Sequence, residues 1–326
     1  MKNMKKATAL FCCLAVIAAS LSARPQQDAA TGGGGTAINA VPLRVGIMPD
    51  ADSLPFMVAR DEGFFTAEGV NVELINFQNP QERDAAIQAG RLDASISDLL
   101  AAAFFTAGGF DLKVTSLTDG RYGIVGSSRL NIKSLADLRG KRVGLSTNTI
   151  IQYTVDAQLQ SAGISMDEYE PVSVPRMPLR LEMIQNGQIE AVSLPEPLLT
   201  AAVEQGGVLL STTDTTGIDA GILLFSKKTL DTRLDDVTKF YRAYYRAAQK
   251  INAKPDAYRN YLVEKAAFPA AVRDAYRFVT YRKPGLPDKA QIDQALAWLK
   301  TRQLLSADLK AEDLVDGRIA AAAASW

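Results

Sequence analysis

The chain lacks the side chains on which most protein catalysis depends. Its 326 residues include no histidine, and its two cysteines, Cys12 and Cys13, both lie in an apolar stretch near the N-terminus. Histidine is the commonest general base and the commonest metal ligand. Ser-His-Asp hydrolases, Cys-His enzymes and histidine-based zinc sites are therefore excluded. Paired carboxylates or a lysine could still catalyse a reaction, so the composition argues against an enzyme without forbidding one, and no cofactor or metal is expected.

Polar side chains that could hold a ligand follow the predicted strands. In open parallel sheets, ligands bind beyond the carboxyl ends of the strands, beside helix N-termini. In the first half of the chain, these positions hold Asp50, Asp52, Ser53, Phe56, Ser97 and Asp98, with Tyr122 nearby. In the second half they hold Ser146, Thr147, Asn148, Thr149, Arg176 and Glu196. We predict that these residues line one ligand-binding cleft.

The cluster at residues 146–149 (STNT) is the most suggestive of binding. Hydroxyl and amide groups at a helix start can hold a ligand's oxygen atoms beside free backbone N–H groups. The alternative is a plain helix cap, since Ser, Thr and Asn are the preferred N-cap residues. The two interpretations make different demands on the side chains, because a cap bonds to its own helix.

The acidic candidates could accept hydrogen bonds from a ligand amine or amide. They are Asp50, Asp52, Asp98 and Glu196. Asp98 could equally cap the following helix, and Glu196 could favour a helix start through the macrodipole.

Arg176 could pair with a ligand anion, or it could be a solvated surface charge. Phe56 and Tyr122 could stack on a planar ligand, or they could pack beneath a hinge.

Alternating strands and helices position these candidates. Strands are predicted at 43–48, 70–75, 94–97, 112–117, 142–145, 171–174, 191–194, 208–210 and 221–225, and helices at 53–62, 80–89, 99–107, 149–162, 178–186 and 196–205. The stretch 121–140 is predicted to be a connector. Such alternation is typical of βαβ units on a mainly parallel sheet. After the last strand the chain is predicted to be helical, with a packing face at Val237, Phe240, Tyr241, Tyr244, Ala248 and Ile251.

An internal repeat indicates two similar lobes. Residues 87–94 (IQAGRLDA) are echoed 97 positions later by residues 184–191 (IQNGQIEA). Each copy combines a helix end, a glycine cap, an acidic residue and the start of a buried strand. Because both copies occupy the same place in their βαβ series, the chain is predicted to repeat one architecture twice.

The N-terminus has the pattern of a secretory signal peptide. Lys2, Lys5 and Lys6 precede an apolar stretch at 7–19 and small residues at 20–23. We expect residues 1–23 to be removed, residues 24–41 to form a flexible Gly-rich leader, and the protein to act outside the cytoplasm. An alternative is lipoprotein anchoring through Cys12 or Cys13, although Phe11 stands before Cys12, where a small residue is expected.

Balanced charge argues against nucleic-acid binding, because Lys plus Arg and Asp plus Glu both number 36.

Several motifs resemble one family of binding proteins. They are residues 54–65 (LPFMVARDEGFF), 68–72 (EGVNV), 90–94 (GRLDA), 134–144 (SLADLRGKRVG), 190–191 (EA) and 196–197 (EP). Together they resemble the periplasmic solute-binding proteins of ABC importers, in the group that binds nitrate, sulfonates, taurine and thiamine-pyrimidine precursors. The motifs cover about residues 43–226.

The resemblance implies an α/β, type II periplasmic-binding fold of two βαβ lobes, joined by a two-segment hinge, with a C-terminal helical extension. Lobe 1 is expected at 42–126 plus 219–326, and lobe 2 at 127–218. The implied partners are a small-molecule ligand and the membrane permease and ATPase of an importer, with the chain itself monomeric.

The ligand stays open within this family. Four acidic candidates against one or two arginines disfavour a bare anion such as nitrate, and a taurine-like zwitterion or an aminopyrimidine thiamine precursor fits better. A lyase of related fold and a receptor subunit of a sensor system are alternatives. Pyrimidine synthases of this fold need a histidine and a cysteine-rich motif, so the missing histidine excludes them.

Overall fold

The computed structural model describes residues 39–219 and 221–326. The predicted signal peptide, the leader up to residue 38 and both cysteines lie outside the described residues. Within these residues, no helix combines the length and the apolar character that crossing a membrane requires.

Ten strands form two five-stranded sheets. The strands are β1 (Leu43–Ile47), β2 (Val72–Asn76), β3 (Ala94–Asp98), β4 (Leu112–Leu117), β5 (Tyr122–Gly126), β6 (Arg142–Leu145), β7 (Glu170–Ser173), β8 (Ala191–Pro195), β9 (Val208–Thr212) and β10 (Gly221–Ser226). The first sheet has the order β2-β1-β3-β10-β4, and the second has the order β7-β6-β8-β5-β9. The α/β fold predicted from the alternation is confirmed.

The two sheets share one topology. In each, three parallel strands are followed by a strand that runs antiparallel to both of its neighbours. The octapeptide echo falls at equivalent places, because Ala94 pairs with Val45 in the first sheet and Ala191 pairs with Val143 in the second. The repeat seen in the sequence is therefore a repeat of sheet topology.

Fourteen α-helices occupy the described residues and cover the sheets. They are α1 (Leu54–Asp61), α2 (Phe64–Glu68), α3 (Pro80–Gln88), α4 (Leu99–Ala107), α5 (Ile150–Ser161), α6 (Met177–Gln185), α7 (Leu198–Glu204), α8 (Lys227–Thr232), α9 (Leu234–Ala253), α10 (Arg259–Glu264), α11 (Val272–Ala275), α12 (Lys289–Thr301), α13 (Ala311–Leu314) and α14 (Arg318–Ala323). Short 3₁₀ turns lie at Ala51–Ser53, Ser128–Leu130, Leu135–Leu138, Thr213–Thr215 and Pro255–Tyr258. Helix α9 buries all six apolar residues of its predicted packing face.

One prediction was wrong. The segment expected to begin a connector at residue 121 contains β5, a fully buried strand that pairs with β8 and β9. The two glycines in β5 made it hard to predict as a strand, since glycine is depleted in strands. They are needed for space: a Cβ on Gly123 would lie 2.7 Å from a Leu199 methyl carbon and 2.8 Å from the Ser211 carbonyl oxygen.

The chain passes between the sheets twice, because the second sheet (β5 to β9) is inserted in the chain between strands β4 and β10 of the first sheet. It crosses from β4 to β5 at residues 118–121 and returns from β9 to β10 at residues 213–220. Both crossings are short, so they hold the two sheets side by side. The domain limits expected from the sequence stay a prediction.

Candidate ligand-binding site

A cleft opens between the carboxyl ends of the parallel strands of both sheets. The cleft is small, and the centre of a water molecule can occupy about 40 Å³ of it. The first sheet and its helices contribute Met48, Asp50, Pro80, Arg83, Ile96, Ser97 and Asp98, and the second contributes Tyr122, Ser146, Thr149, Ile150, Ile151, Met177, Arg180 and Pro195. The cleft therefore depends on both sheets.

Six of the thirteen predicted site residues line this cleft: Asp50, Ser97, Asp98, Tyr122, Ser146 and Thr149. The other seven do not line it: Asp52, Ser53, Phe56, Thr147, Asn148, Arg176 and Glu196. The division follows from what each side chain bonds to.

Asp50 both lines the cleft and caps a turn. Its Oδ1 accepts from the Ser53 backbone N–H at 3.1 Å and from the Ser53 hydroxyl at 2.8 Å. The Ser53 hydroxyl oxygen in turn accepts from the Met48 N–H at 3.1 Å, so Ser53 is a structural residue of the strand end. Burial raises the pKa of Asp50 to about 6.

Asp52 lies behind the cleft, beside both chain crossings. Its carboxyl is buried, Oδ2 lies 3.4 Å from the Tyr122 hydroxyl, and Oδ1 has no partner among the described residues. A Cβ on Gly120 would lie 2.3 Å from Oδ2, and one on Gly221 would lie 3.2 Å from Oδ1. Burial, together with the neighbouring Asp50 carboxyl, raises the pKa of Asp52 to about 8.

Asp98 carries out the capping role that was its alternative interpretation. Its Oδ1 accepts from the Ala101 N–H at 2.9 Å, at the start of α4. Burial raises its pKa, and the nearby Arg83 guanidinium opposes that shift. Asp98 still lines the cleft, so capping does not remove it from the site.

Phe56 is a core residue. Its ring stacks on Phe240 at 5.3 Å and on Tyr244 at 4.7 Å between ring centres, and its exposure is 1%. The packing interpretation therefore applies to Phe56. Tyr122, the other aromatic candidate, does line the cleft.

The cluster at 146–149 divides between the two interpretations. Thr149 caps α5 through its hydroxyl, which accepts from the Ile151 N–H at 3.2 Å. Thr147 pairs with the Ser173 hydroxyl, and the Asn148 N–H donates to Gln152. Ser146 differs, because it is fully buried and its hydroxyl has no partner among the described residues.

Arg176 and Glu196 lie outside the cleft. Arg176 is exposed at the start of α6 and donates no side-chain cap. Glu196 accepts from the backbone N–H and the hydroxyl of Thr200 at 3.1 and 2.8 Å, and so stabilises the start of α7. Burial raises the pKa of Glu196.

Two buried arginines line the cleft and escaped the sequence reasoning. Arg83 in α3 is 4% exposed, and its Nε donates to Asp84 at 2.8 Å. Arg180 in α6 is fully buried, and its Nη1 donates to the Ser193 carbonyl at 2.7 Å. A signal for Arg180 was available, since it lies on the same helix face as Met177, Leu181 and Ile184.

The cleft offers no metal site. Within the described part of the chain, no three Asp, Glu, Cys or His side chains cluster in a way that could hold an ion.

Comparisons with known proteins agree with this architecture. A sequence model described as "NMT1/THI5 like" matches residues 50–258. No curated protein sequence matches the chain.

Three solved structures illustrate the fold. The ligand-binding component of an ABC-type import system from Staphylococcus aureus, solved with zinc bound, is 15% identical, with a TM-score of 0.75 over 86% of this chain and 98% of that one. The alkanesulfonate-binding protein SsuA from Xanthomonas axonopodis pv. citri, bound to MOPS, is 18% identical, with a TM-score of 0.72 over 85% and 98%. The periplasmic nitrate-binding protein NrtA from Synechocystis PCC 6803 is 14% identical, with a TM-score of 0.72 over 87% and 88%.

At these identities the likeness shows the periplasmic-binding fold, while the match over residues 50–258 covers more than half of the chain. The chain belongs to the NMT1/THI5-like family.

Proposed function

We propose that this chain is the exported substrate-binding component of an ABC-type importer. It closes two lobes around one small polar organic ligand and passes that ligand to a membrane permease driven by an ATPase. The candidate ligands are a sulfonate or taurine-like zwitterion and an aminopyrimidine thiamine precursor. One observation carries the proposal: buried polar side chains without partners face the same cleft from both sheets.

The placement of these groups supports binding rather than packing. Ser97 belongs to the first sheet, whereas Ser146 and Arg180 belong to the second sheet and its helices. Each keeps at least one buried polar atom without a hydrogen bond among the described residues. Buried polar atoms are normally satisfied, and leaving one unsatisfied costs about 1–3 kcal/mol. A ligand that supplies the missing partners would recover that energy.

The two chain crossings between the sheets suggest how the protein would close on its ligand. A ligand that contacts both sheets binds the closed arrangement more tightly than the open one, and this difference in affinity favours closure. The short crossings at 118–121 and 213–220 are where backbone rotation would let the sheets move relative to each other. Closure would present a ligand-dependent surface to the permease.

Uptake by cells tests the proposal. A strain that lacks this gene should lose accumulation of labelled taurine or of the labelled aminopyrimidine, and the gene in trans should restore it. Mass spectrometry of the purified protein with either compound should recover the compound unchanged. Unaffected uptake of both compounds would contradict the transport role.

An enzymatic role is the second candidate. The desulfurization enzyme DSZB has the same fold, at 15% identity, with a TM-score of 0.64 over 87% of this chain and 99% of that one. The raised pKa values of the Asp50 and Asp98 carboxyls are what favour it, because perturbed carboxyls in a cleft are typical of acid–base sites. Conversion of either compound in the mass-spectrometry experiment would support the enzyme over the binder.

A further inference from the structure

Arg180 is a buried cation without a counter-charge. Its side chain is fully buried at the wall of the cleft, and only Nη1 has a hydrogen-bond partner, the Ser193 carbonyl. The Nε and Nη2 groups have none among the described residues. Burial lowers the pKa of Arg180 to about 9, with no carboxylate to oppose the shift, and the guanidinium is still charged at neutral pH.

The other charged groups of the cleft are engaged within the protein. Arg83 pairs with Asp84 at 2.8 Å, Asp98 accepts from a backbone N–H, and Asp50 accepts twice from Ser53. Arg83 Nη2 also makes no hydrogen bond among the described residues, but Arg83 has the Asp84 carboxylate beside it. Arg180 differs because it lines the cleft with two unpartnered donors and no carboxylate neighbour among the described residues. Burying a charge without a counter-charge is unfavourable, so an anion at the free nitrogens of Arg180 would be stabilising.

Two hydroxyls extend the donor set. Ser97 and Ser146 line the cleft from opposite sheets, and each has a buried Oγ with no partner among the described residues. A hydroxyl can rotate to donate, and a guanidinium donates through a planar fork that matches two oxygens of one acid group. An oxyanion offers several acceptor oxygens to donors of this kind.

We infer that Arg180, with Ser146 and Ser97, binds the oxyanion group of an organic acid. The inference rests on the proposed function and selects between its two ligands: an amino acid with a sulfonate or carboxylate head fits, and a neutral aminopyrimidine leaves the Arg180 edge unpaired. Asp50 lines the same cleft, and because both Ser53 donors use its Oδ1, its Oδ2 is the oxygen that can receive the ligand's amine. The sequence-based comparison of acidic and basic candidates, which disfavoured an anionic ligand, did not include Arg180 and Arg83. Both lie within helices and not at strand ends.

Four probes and three variants test this inference by calorimetric titration. Taurine carries a sulfonate and an amine, β-alanine carries a carboxylate and an amine, 2-aminoethanol lacks the acid, and 4-amino-5-hydroxymethyl-2-methylpyrimidine is the neutral heterocycle. The variants are Arg180→Gln, Arg180→Lys and Arg176→Gln. Arg176→Gln is the matched control, since Arg176 lies four residues before Arg180 at the start of α6 but is exposed and does not line the cleft.

We expect the wild type to bind taurine or β-alanine, and the preferred one of the two identifies the acid as sulfonate or carboxylate. Arg180→Gln should raise the Kd for the preferred acid by about 30-fold or more, which corresponds to the loss of charge-assisted hydrogen bonds. Arg180→Lys keeps the charge without the fork and should fall between wild type and Arg180→Gln. Arg176→Gln should leave the Kd within about twofold. Melting curves of each variant confirm folding, and Arg180→Lys carries the test if Arg180→Gln does not fold.

Two results would overturn the inference while leaving the proposed function intact: binding of the aminopyrimidine or of 2-aminoethanol in preference to both acids, or unchanged acid binding by Arg180→Gln. Binding of none of the four probes would contradict the proposed function and this inference together.

Discussion

At the scale of single residues, we expect Arg180 to favour ligand binding and to disfavour folding. A buried charge without a counter-charge is costly, and replacing such a charge by an apolar side chain of similar volume is often neutral or stabilising. A role in ligand binding would explain why a charged residue is buried at this position, whereas a role in core packing would not.

Replacing Arg180 by methionine should raise the melting temperature of the ligand-free protein. A gain of about 1 kcal/mol corresponds to a rise of roughly 2–4 °C. Scanning calorimetry measures it, with the exposed Arg176→Met as the control that should change little. A fall of several degrees in Arg180→Met would show that the bond to the Ser193 carbonyl makes Arg180 a structural residue.

The stability of the protein should fall as pH rises, in part through Asp52. Its ordinary pKa is 3.8 and its folded value is about 8, so between these pH values the folded protein holds a proton that the unfolded chain has released. Protonated Asp52 therefore contributes stability that is fully present near pH 4 and is lost by about pH 8.

Asp52→Asn removes this titration. Between pH 5 and pH 8, the melting temperature of the variant relative to that of the wild type should rise. The same substitution at the exposed Asp167 is the control. If the difference between variant and wild type is the same at both pH values, Asp52 does not hold its proton in the folded state.

Six of the thirteen site residues predicted from the sequence line the cleft, and Arg83 and Arg180, which also line it, were not among the thirteen. Strand ends and polar side chains led to Asp50, Ser97, Asp98 and Ser146, because the carboxyl ends of parallel strands meet at one edge of a sheet. Arg180 was missed because it lies inside a helix, and only its place in an apolar stripe distinguishes it from a surface arginine. Whether a given hydroxyl has a hydrogen-bond partner depends on tertiary contacts, which the local sequence does not determine.

At the scale of elements, the strand β5 shows what local propensity leaves out. The alternation of strands and helices and the repeat at 87–94 and 184–191 both predicted the βαβ series correctly. The sequence of β5, YGIVG, combines strand-forming residues with two glycines that only tertiary packing explains. A strand selected for close approach to its neighbours does not have the composition of a typical strand.

Gly123→Ala should destabilise the second sheet. The new methyl would lie 2.7 Å from a Leu199 carbon and 2.8 Å from the Ser211 oxygen, and overpacking of this kind costs about 1–3 kcal/mol. Gly285→Ala is the control, because its methyl would meet nothing nearer than 3.9 Å. Thermal melts should show a loss for Gly123→Ala alone, and equal melting of the two variants would contradict the tight packing of β5.

At the scale of the whole molecule, two chain crossings connect the sheets, and the proposed closure depends on them. The two crossings run side by side, because they join neighbouring strands: β4 pairs with β10 in the first sheet, and β5 pairs with β9 in the second. Two short adjacent crossings permit relative rotation of the sheets while the core of each sheet stays packed. Under the proposed function, a ligand between the sheets would control how far they close.

Closure on a ligand is the central claim, and a distance between the sheets tests it most directly. The described residues contain no cysteine, so spin labels can be placed singly through Glu82→Cys in α3 and Leu179→Cys in α6, exposed neighbours of Arg83 and Arg180. Pulsed electron-resonance distances between the two labels should shorten and narrow when saturating taurine or β-alanine is added. A distance distribution that is unchanged by either compound and by the aminopyrimidine would contradict a two-lobed binder that closes on its ligand.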